Sequence, residues 1–109
     1  MELVTVITPT YNRKSELKNL YYSLCKQTNY DFRWLVVDDG SRDETDQYIE
    51  KIKREPKFKI EYIKKANGGK HTALNTGVKQ IKTELTMIVD SDDCLLPDAI
   101  EIISGIYSK

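Results

Sequence analysis

The sequence predicts an α/β fold, a Rossmann-like parallel sheet with helices on both faces. Two observations predict it. Four short runs rich in β-branched and aromatic residues alternate with four stretches whose apolar residues recur at helical spacing. Polar clusters at residues 8–12, 38–41 and 90–93 follow the ends of three of those runs, where open parallel sheets place their ligands, beside the switch in strand order. With 109 residues the chain makes one domain, residues 1–109.

The elements follow in order. Residues 3–8 are a dense β-branched run, too short for a helix, ended by Pro9. Leu17, Leu20, Tyr21 and Leu24 then fall at i, i+3, i+4 and i+7, one buried helix face, with Ser15 as its cap. Residues 34–37 form a second apolar strand. Ser41 and Glu44 have the spacing of a capping box opening a helix that turns Tyr48, Ile49 and Ile52 inward. Phe58, Ile60 and Tyr62 alternate with Lys59 and Glu61, as in a half-exposed strand near a sheet edge. Asn67, Gly68 and Gly69 break the chain, and Ala73, Leu74, Gly77, Val78 and Ile81 suit a third helix, weakened by Gly77 by about 1 kcal/mol relative to Ala. Residues 85–89 are the fourth strand. Pro97 and Asp98 favour a last helix start, with Ile100, Ile103, Ile106 and Tyr107 as its stripe and Lys109 at its close.

Composition excludes several classes of function. Seventeen Lys and Arg balance seventeen Asp and Glu, so the basic excess that nucleic-acid binding requires is absent. No run reaches the length of a membrane span, and Glu2 stands where a signal peptide would be basic. A cytoplasmic location is the expectation. Cys25 and Cys94 lack any CxxC spacing or further ligands, so reduced thiols are expected instead of a disulfide or zinc site. Cys25 reads as a small buried side chain; Cys94 and His71 receive no role.

The acidic cluster Asp90-Ser91-Asp92-Asp93 is the sharpest chemical feature. In an extended segment Asp90 and Asp92 project to one side, so their oxygens can converge on a hard cation. A solvated turn with capping aspartates is the alternative. An EF-hand loop fails, because Leu95 stands where its glycine is required. Asp39 at the second strand end can accept hydrogen bonds from a base or ribose, and the same residues also read as a capped turn. Tyr11 can stack on a base or simply pack. Asn67 to His71 offer a flexible backbone, a cation and an imidazole ahead of a helix, either a phosphate cradle or a surface turn. Neither the Walker spacing nor GxGxxG is present.

As a set, these residues carry a resemblance. Val6-Ile7-Thr8-Pro9-Thr10-Tyr11-Asn12-Arg13, Leu17 through Gln27-Thr28, Val36-Val37-Asp38-Asp39-Gly40-Ser41, Asn67-Gly68-Gly69 and Asp90-Ser91-Asp92-Asp93 resemble the nucleotide-binding half of family 2 glycosyltransferases of the GT-A fold. The match spans nearly the whole chain in order and spacing. The resemblance implies metal-dependent transfer of a sugar from a nucleotide diphosphate donor, with inversion at the anomeric carbon. By position, Thr8, Tyr11 and Asp39 would hold base and ribose, with Asp39 accepting from the base and uracil favoured. Lys70 falls near a basic position used on the nucleotide. Asp90 and Asp92 match the DxD motif: Asp92 as a direct ligand of Mn²⁺ or Mg²⁺, Asp90 as a metal or ribose contact, and Asp93 less defined.

The resemblance also implies an acceptor-binding half carrying a general-base carboxylate, which residues 1–109 lack. The expected function is therefore donor binding by a glycosyltransferase domain that alone transfers no sugar, with a stand-alone nucleotide- or metal-binding module as the alternative. A UDP-sugar is the favoured partner and the acceptor is unknown, a polysaccharide or lipid-linked group among the candidates, with a parent protein that could be membrane-associated. An unpaired sheet edge or apolar patch is expected to allow self-association.

Overall fold

The computed structural model describes residues 2–108. Strands and helices alternate throughout: β1 (Val4–Thr10), α1 (Lys14–Cys25), β2 (Phe32–Asp38), α2 (Thr45–Ile52), β3 (Lys59–Lys64), α3 (Lys70–Val78), β4 (Leu85–Ile88) and α4 (Ala99–Tyr107). All pairings are parallel, in the order β3-β2-β1-β4. The chain thus builds outward from β1 to β3, then crosses back to place β4 on the other side of β1. The carboxyl ends of β1 and β4 flank that switch in direction, the place where such sheets open a crevice.

The helices divide unequally. Val4, Val6, Phe32, Trp34, Val36 and Ile60 meet Leu17, Leu20 and Leu24 of α1, Ile49 of α2 and Ile100 of α4 in the larger core. The opposite face, with Ile7, Leu35 and Val37, meets Ala73 and Leu74 of α3. Gly77 makes that single-helix docking close: a Cβ there would sit 2.4 Å from Ile7 Cδ1 and 2.7 Å from Val37 Cγ2. The glycine that weakened the sequence pattern is therefore a packing requirement.

Several boundaries differ from expectation. β1 continues through Pro9 to Thr10, because Ile7 and Pro9 turn their backbone groups toward β4. Val89 N–H donates to Ile7 O at the end of β4, so Pro9, which has no donor of its own, falls where the pairing of β1 with β4 has stopped. Ser15 does not cap α1. That helix starts at Lys14, whose N–H donates to Asp43 Oδ2 at 2.9 Å. Ser41 and Glu44 form no capping box, since α2 begins at Thr45 and Glu44 is left-handed at φ 66°. The Ser41 hydroxyl accepts instead from Asn12 N–H at 2.8 Å. α3 ends at Val78, which is exposed, before Ile81. In α4 only Ile100 is fully buried and Ile103 half-buried, while Ile106 and Tyr107 face outward. Lys109 lies outside the described residues. Both thiols are free, Cys25 half-buried and Cys94 exposed. Among the described residues no helix is long and apolar enough to cross a membrane.

Candidate functional site

A cavity of about 490 Å³ opens at the carboxyl ends of β1, β2 and β4. Three segments wall it. Pro9, Thr10, Tyr11 and Arg13 come from the end of β1, Asn67, Gly69, Lys70 and Ala73 from the entry to α3, and Asp90, Ser91 and Asp92 from the turn after β4; Asp39 closes its base.

The first wall is held by reciprocal hydrogen bonds between two strand-end loops. Asp39 N–H donates to Thr10 O, Asn12 N–H to Ser41 Oγ, and Arg42 N–H to Asn12 Oδ1. Asn12 takes a left-handed conformation at φ 51°, tolerable for Asn because its short amide can bond locally. Tyr11, between the bonded residues, is left exposed at the rim.

Asp39 is only 5% exposed. Its Oδ1 accepts from Lys65 Nζ at 2.7 Å and Gly68 N–H at 2.9 Å, and its Oδ2 from Gly69 N–H at 2.8 Å. Burial pushes its carboxyl pKa up, but the ammonium and the two amides outweigh that and hold it below its ordinary value. The loop carrying those amides packs on Gly40, which at φ +85° brings Asn67 N and Lys65 O within 3.2 and 3.3 Å of where a Cβ would stand. Neighbouring Asp38 plays a different part. Fully buried, it accepts from Ser41 N–H and from the Tyr62 hydroxyl, whose pKa burial and this bond raise.

On the far wall, ligand oxygens of Asp90, Asp92 and Asp93 lie within 4.8 Å of one another. Asp93 N–H donates to Asp90 O, bending the segment into a turn. Lys70 Nζ approaches Asp90 Oδ1 to 2.7 Å, and this carboxylate raises the Lys70 pKa. The buried Thr10 hydroxyl beside them has no hydrogen-bond partner among the described residues. Three converging carboxylates at the edge of a cavity form a donor set of the kind hard divalent cations take.

The structure therefore gathers Tyr11, Asp39, Lys70, Asp90 and Asp92 around one cavity and keeps Asp93 within the acidic cluster. Thr8 is set apart. It is fully buried on the face of β1 shared with Val4 and Val6, where its Oγ1 accepts from Trp34 Nε1 at 2.9 Å. Thr10, two residues on, lines the cavity in its stead. Thr10, which the sequence marks only within the polar cluster after β1, and Lys65 carry no expected role. A strand ended at Pro9 hides the first, and no local pattern separates Lys65 from the other surface lysines.

Residues 5–105 match the description Glycosyl transferase family 2. The chain belongs to this family. It has the GT-A fold, and its relatives agree. It is 34% identical over 99 residues to the poly(ribitol-phosphate) beta-N-acetylglucosaminyltransferase TarS of Staphylococcus aureus, covering 89% of this chain and 17% of TarS. A crystal structure of S. aureus TarS residues 1–349 with UDP-GlcNAc superposes with a TM-score of 0.86 at 32% identity, over 99% of this chain and 31% of that one. A mannosyltransferase of Pyrobaculum calidifontis, in complex with GDP-Man and Mn²⁺, superposes at 0.77 with 27% identity, over 84% and 28%. This family 2 glycosyltransferase chain thus spans less than a third of the length of these relatives.

Proposed function

We propose that the cavity binds a UDP-sugar together with Mn²⁺ or Mg²⁺, as the donor half of an inverting glycosyl transfer. The observation that carries this reading is the pairing, across one cavity, of a buried ionised acceptor, Asp39, with the carboxylate cluster of Asp90, Asp92 and Asp93. The first suits a base N–H, and the second suits a cation bound to a diphosphate. Solved relatives support it, one holding UDP-GlcNAc and another GDP-Man with Mn²⁺.

In this reading Tyr11 stacks at the rim on the base, and Asp39 accepts from its ring N–H. Lys70 turns from Asp90 toward the diphosphate, where its charge offsets that of the leaving group. Asp92 is the direct cation ligand, with Asp90 on the metal or the ribose. The bound cation supplies charge neutralisation on the departing nucleoside diphosphate. Deprotonating an acceptor hydroxyl requires a base within hydrogen-bond reach. We assign that role to no carboxylate of this chain, so residues 1–109 alone bind donor without transferring sugar. The acceptor we expect is a polysaccharide or a lipid-linked group.

Titration calorimetry and thermal melts with UDP test the reading. In Mn²⁺, UDP at a hundredfold excess over its dissociation constant should stabilise the chain by about 2.7 kcal/mol. EDTA or Asp92→Asn should abolish that gain. Equal UDP affinity in EDTA and in Mn²⁺ would refute it.

A further inference from the structure

We propose that Lys65 is a positioning residue that sets base choice: it fixes Asp39 as an acceptor and so makes the cavity select uracil over cytosine. The inference rests on the reading of Asp39 as the group that meets the base.

Lys65 follows the edge strand β3, where lysines ordinarily point to water. Its neighbour Lys64 does so, pairing loosely with exposed Asp46 at 3.6 Å. Lys65 turns inward, its side chain only 18% exposed. Its Nζ has three acceptors: Asp39 Oδ1 at 2.7 Å, Ala66 O at 2.6 Å and Thr72 Oγ1 at 3.2 Å. An ammonium has three protons, and each has a partner here. The side chain thereby ties the ends of β2 and β3 to the first turn of α3.

The consequence falls on Asp39. Each carboxylate oxygen accepts about two hydrogen bonds. Lys65 and Gly68 fill Oδ1, whereas Oδ2 receives only Gly69 N–H. One acceptor position on Oδ2 remains, on a residue that lines the cavity. Uracil presents an N–H at ring position 3, and cytosine presents a lone pair there. An ionised carboxylate accepts from the first and repels the second, and a protonated one does the reverse. Among the described residues Lys65 is the only cation paired with Asp39. The burial that favours a protonated Asp39 is offset first by the hydrogen bond from this lysine and then by the Gly69 and Gly68 amides.

The test compares UDP and CDP by calorimetry at neutral pH in Mn²⁺, on the whole chain. The wild type should bind UDP at least about tenfold more tightly than CDP, the worth of one buried base-edge hydrogen bond. Lys65→Met should bring that ratio close to one, and Lys65→Arg should restore most of it. A purely structural role would weaken both nucleotides together and leave the ratio intact. Lys65→Gln must lower the ratio as well, which keeps the test decisive if Lys65→Met does not fold. A wild type without preference, or Asp39→Ala retaining it, overturns the role of Asp39 itself. A ratio lost in Asp39→Ala but kept in Lys65→Met and Lys65→Gln overturns the role of Lys65 alone.

Discussion

Gln27 joins two helices that share no sequence neighbourhood, and replacing it by Met measures that joint. Its side chain is buried. Nε2 donates to Leu96 O at 2.8 Å and to Ser23 O at 3.2 Å, and Oε1 accepts from Ile100 N–H at 3.2 Å. Ser23 O belongs to the last turn of α1 and Ile100 N–H to the first turn of α4, so one amide serves two helix ends whose groups lack intrahelical partners. Asp98, at the start of α4, makes no side-chain cap of its own. Met keeps the volume and removes every one of these bonds. The Ile100 amide is buried and loses its acceptor outright, roughly 2 kcal/mol; the two carbonyls, nearer water, lose about 0.5 kcal/mol each, so the sum is about 3 kcal/mol. At roughly 4–5 °C per kcal/mol for a domain near this size, the melting temperature should fall by about 12–15 °C in calorimetry. A fall of less than about 3 °C would show that water replaces the amide at little cost, and that the helix ends are not held in this way.

Two further outcomes concern acid stability and assembly. Asp39 and Asp43 are both held below the ordinary carboxyl value of 3.8, so their stabilisation is present above that value and lost as pH falls through the lower folded values. The melting-temperature gap between wild type and Asp43→Ala should be full above about pH 5 and shrink below about pH 3, and a constant gap would refute the linkage. The free edge of β4 and the outer face of α4, where Ile106 is 67% exposed beside exposed Ile102 and Tyr107, should drive self-association. Sedimentation should show dimers or larger species that Ile106→Asp returns to monomer; a monomeric wild type would end that idea.

Where hydrophobic period and strand-end polarity coincide, the fold and site are legible in the sequence. The run at residues 34–37 and the stripe of Leu17, Leu20 and Leu24 carry strong periodicity, and both elements stand where expected. Asp39, Asp90 and Asp92 are legible for a related reason: a polar residue just past the carboxyl end of a strand has only the crevice or a turn to occupy, and Lys70 opens the helix that follows the glycine break. Capping is less legible, because it is settled across the chain. Ser41 has the local spacing of a cap, yet its hydroxyl serves Asn12, 29 residues away. Thr8 and Thr10 show how much one boundary matters. Ending β1 at Pro9 makes Thr8 the residue at the sheet's rim. Two more residues of strand move that place to Thr10 and leave Thr8 under the helices, bonded to Trp34. Lys65 is invisible locally, since its three partners come from β2, its own loop and α3.

Pro9 carries a consequence for the durability of the crevice. Two parallel strands lying side by side tend to zip as far as their donors allow, and a cleft between them has to survive that tendency. Beyond the bond from Val89 to Ile7, the next backbone donor that β1 could offer toward the β4 side is missing from the imino acid itself. One of the bonds that would draw β1 and the acidic turn together is thus ruled out by covalent structure. No rotamer change or repacking nearby can supply the absent proton.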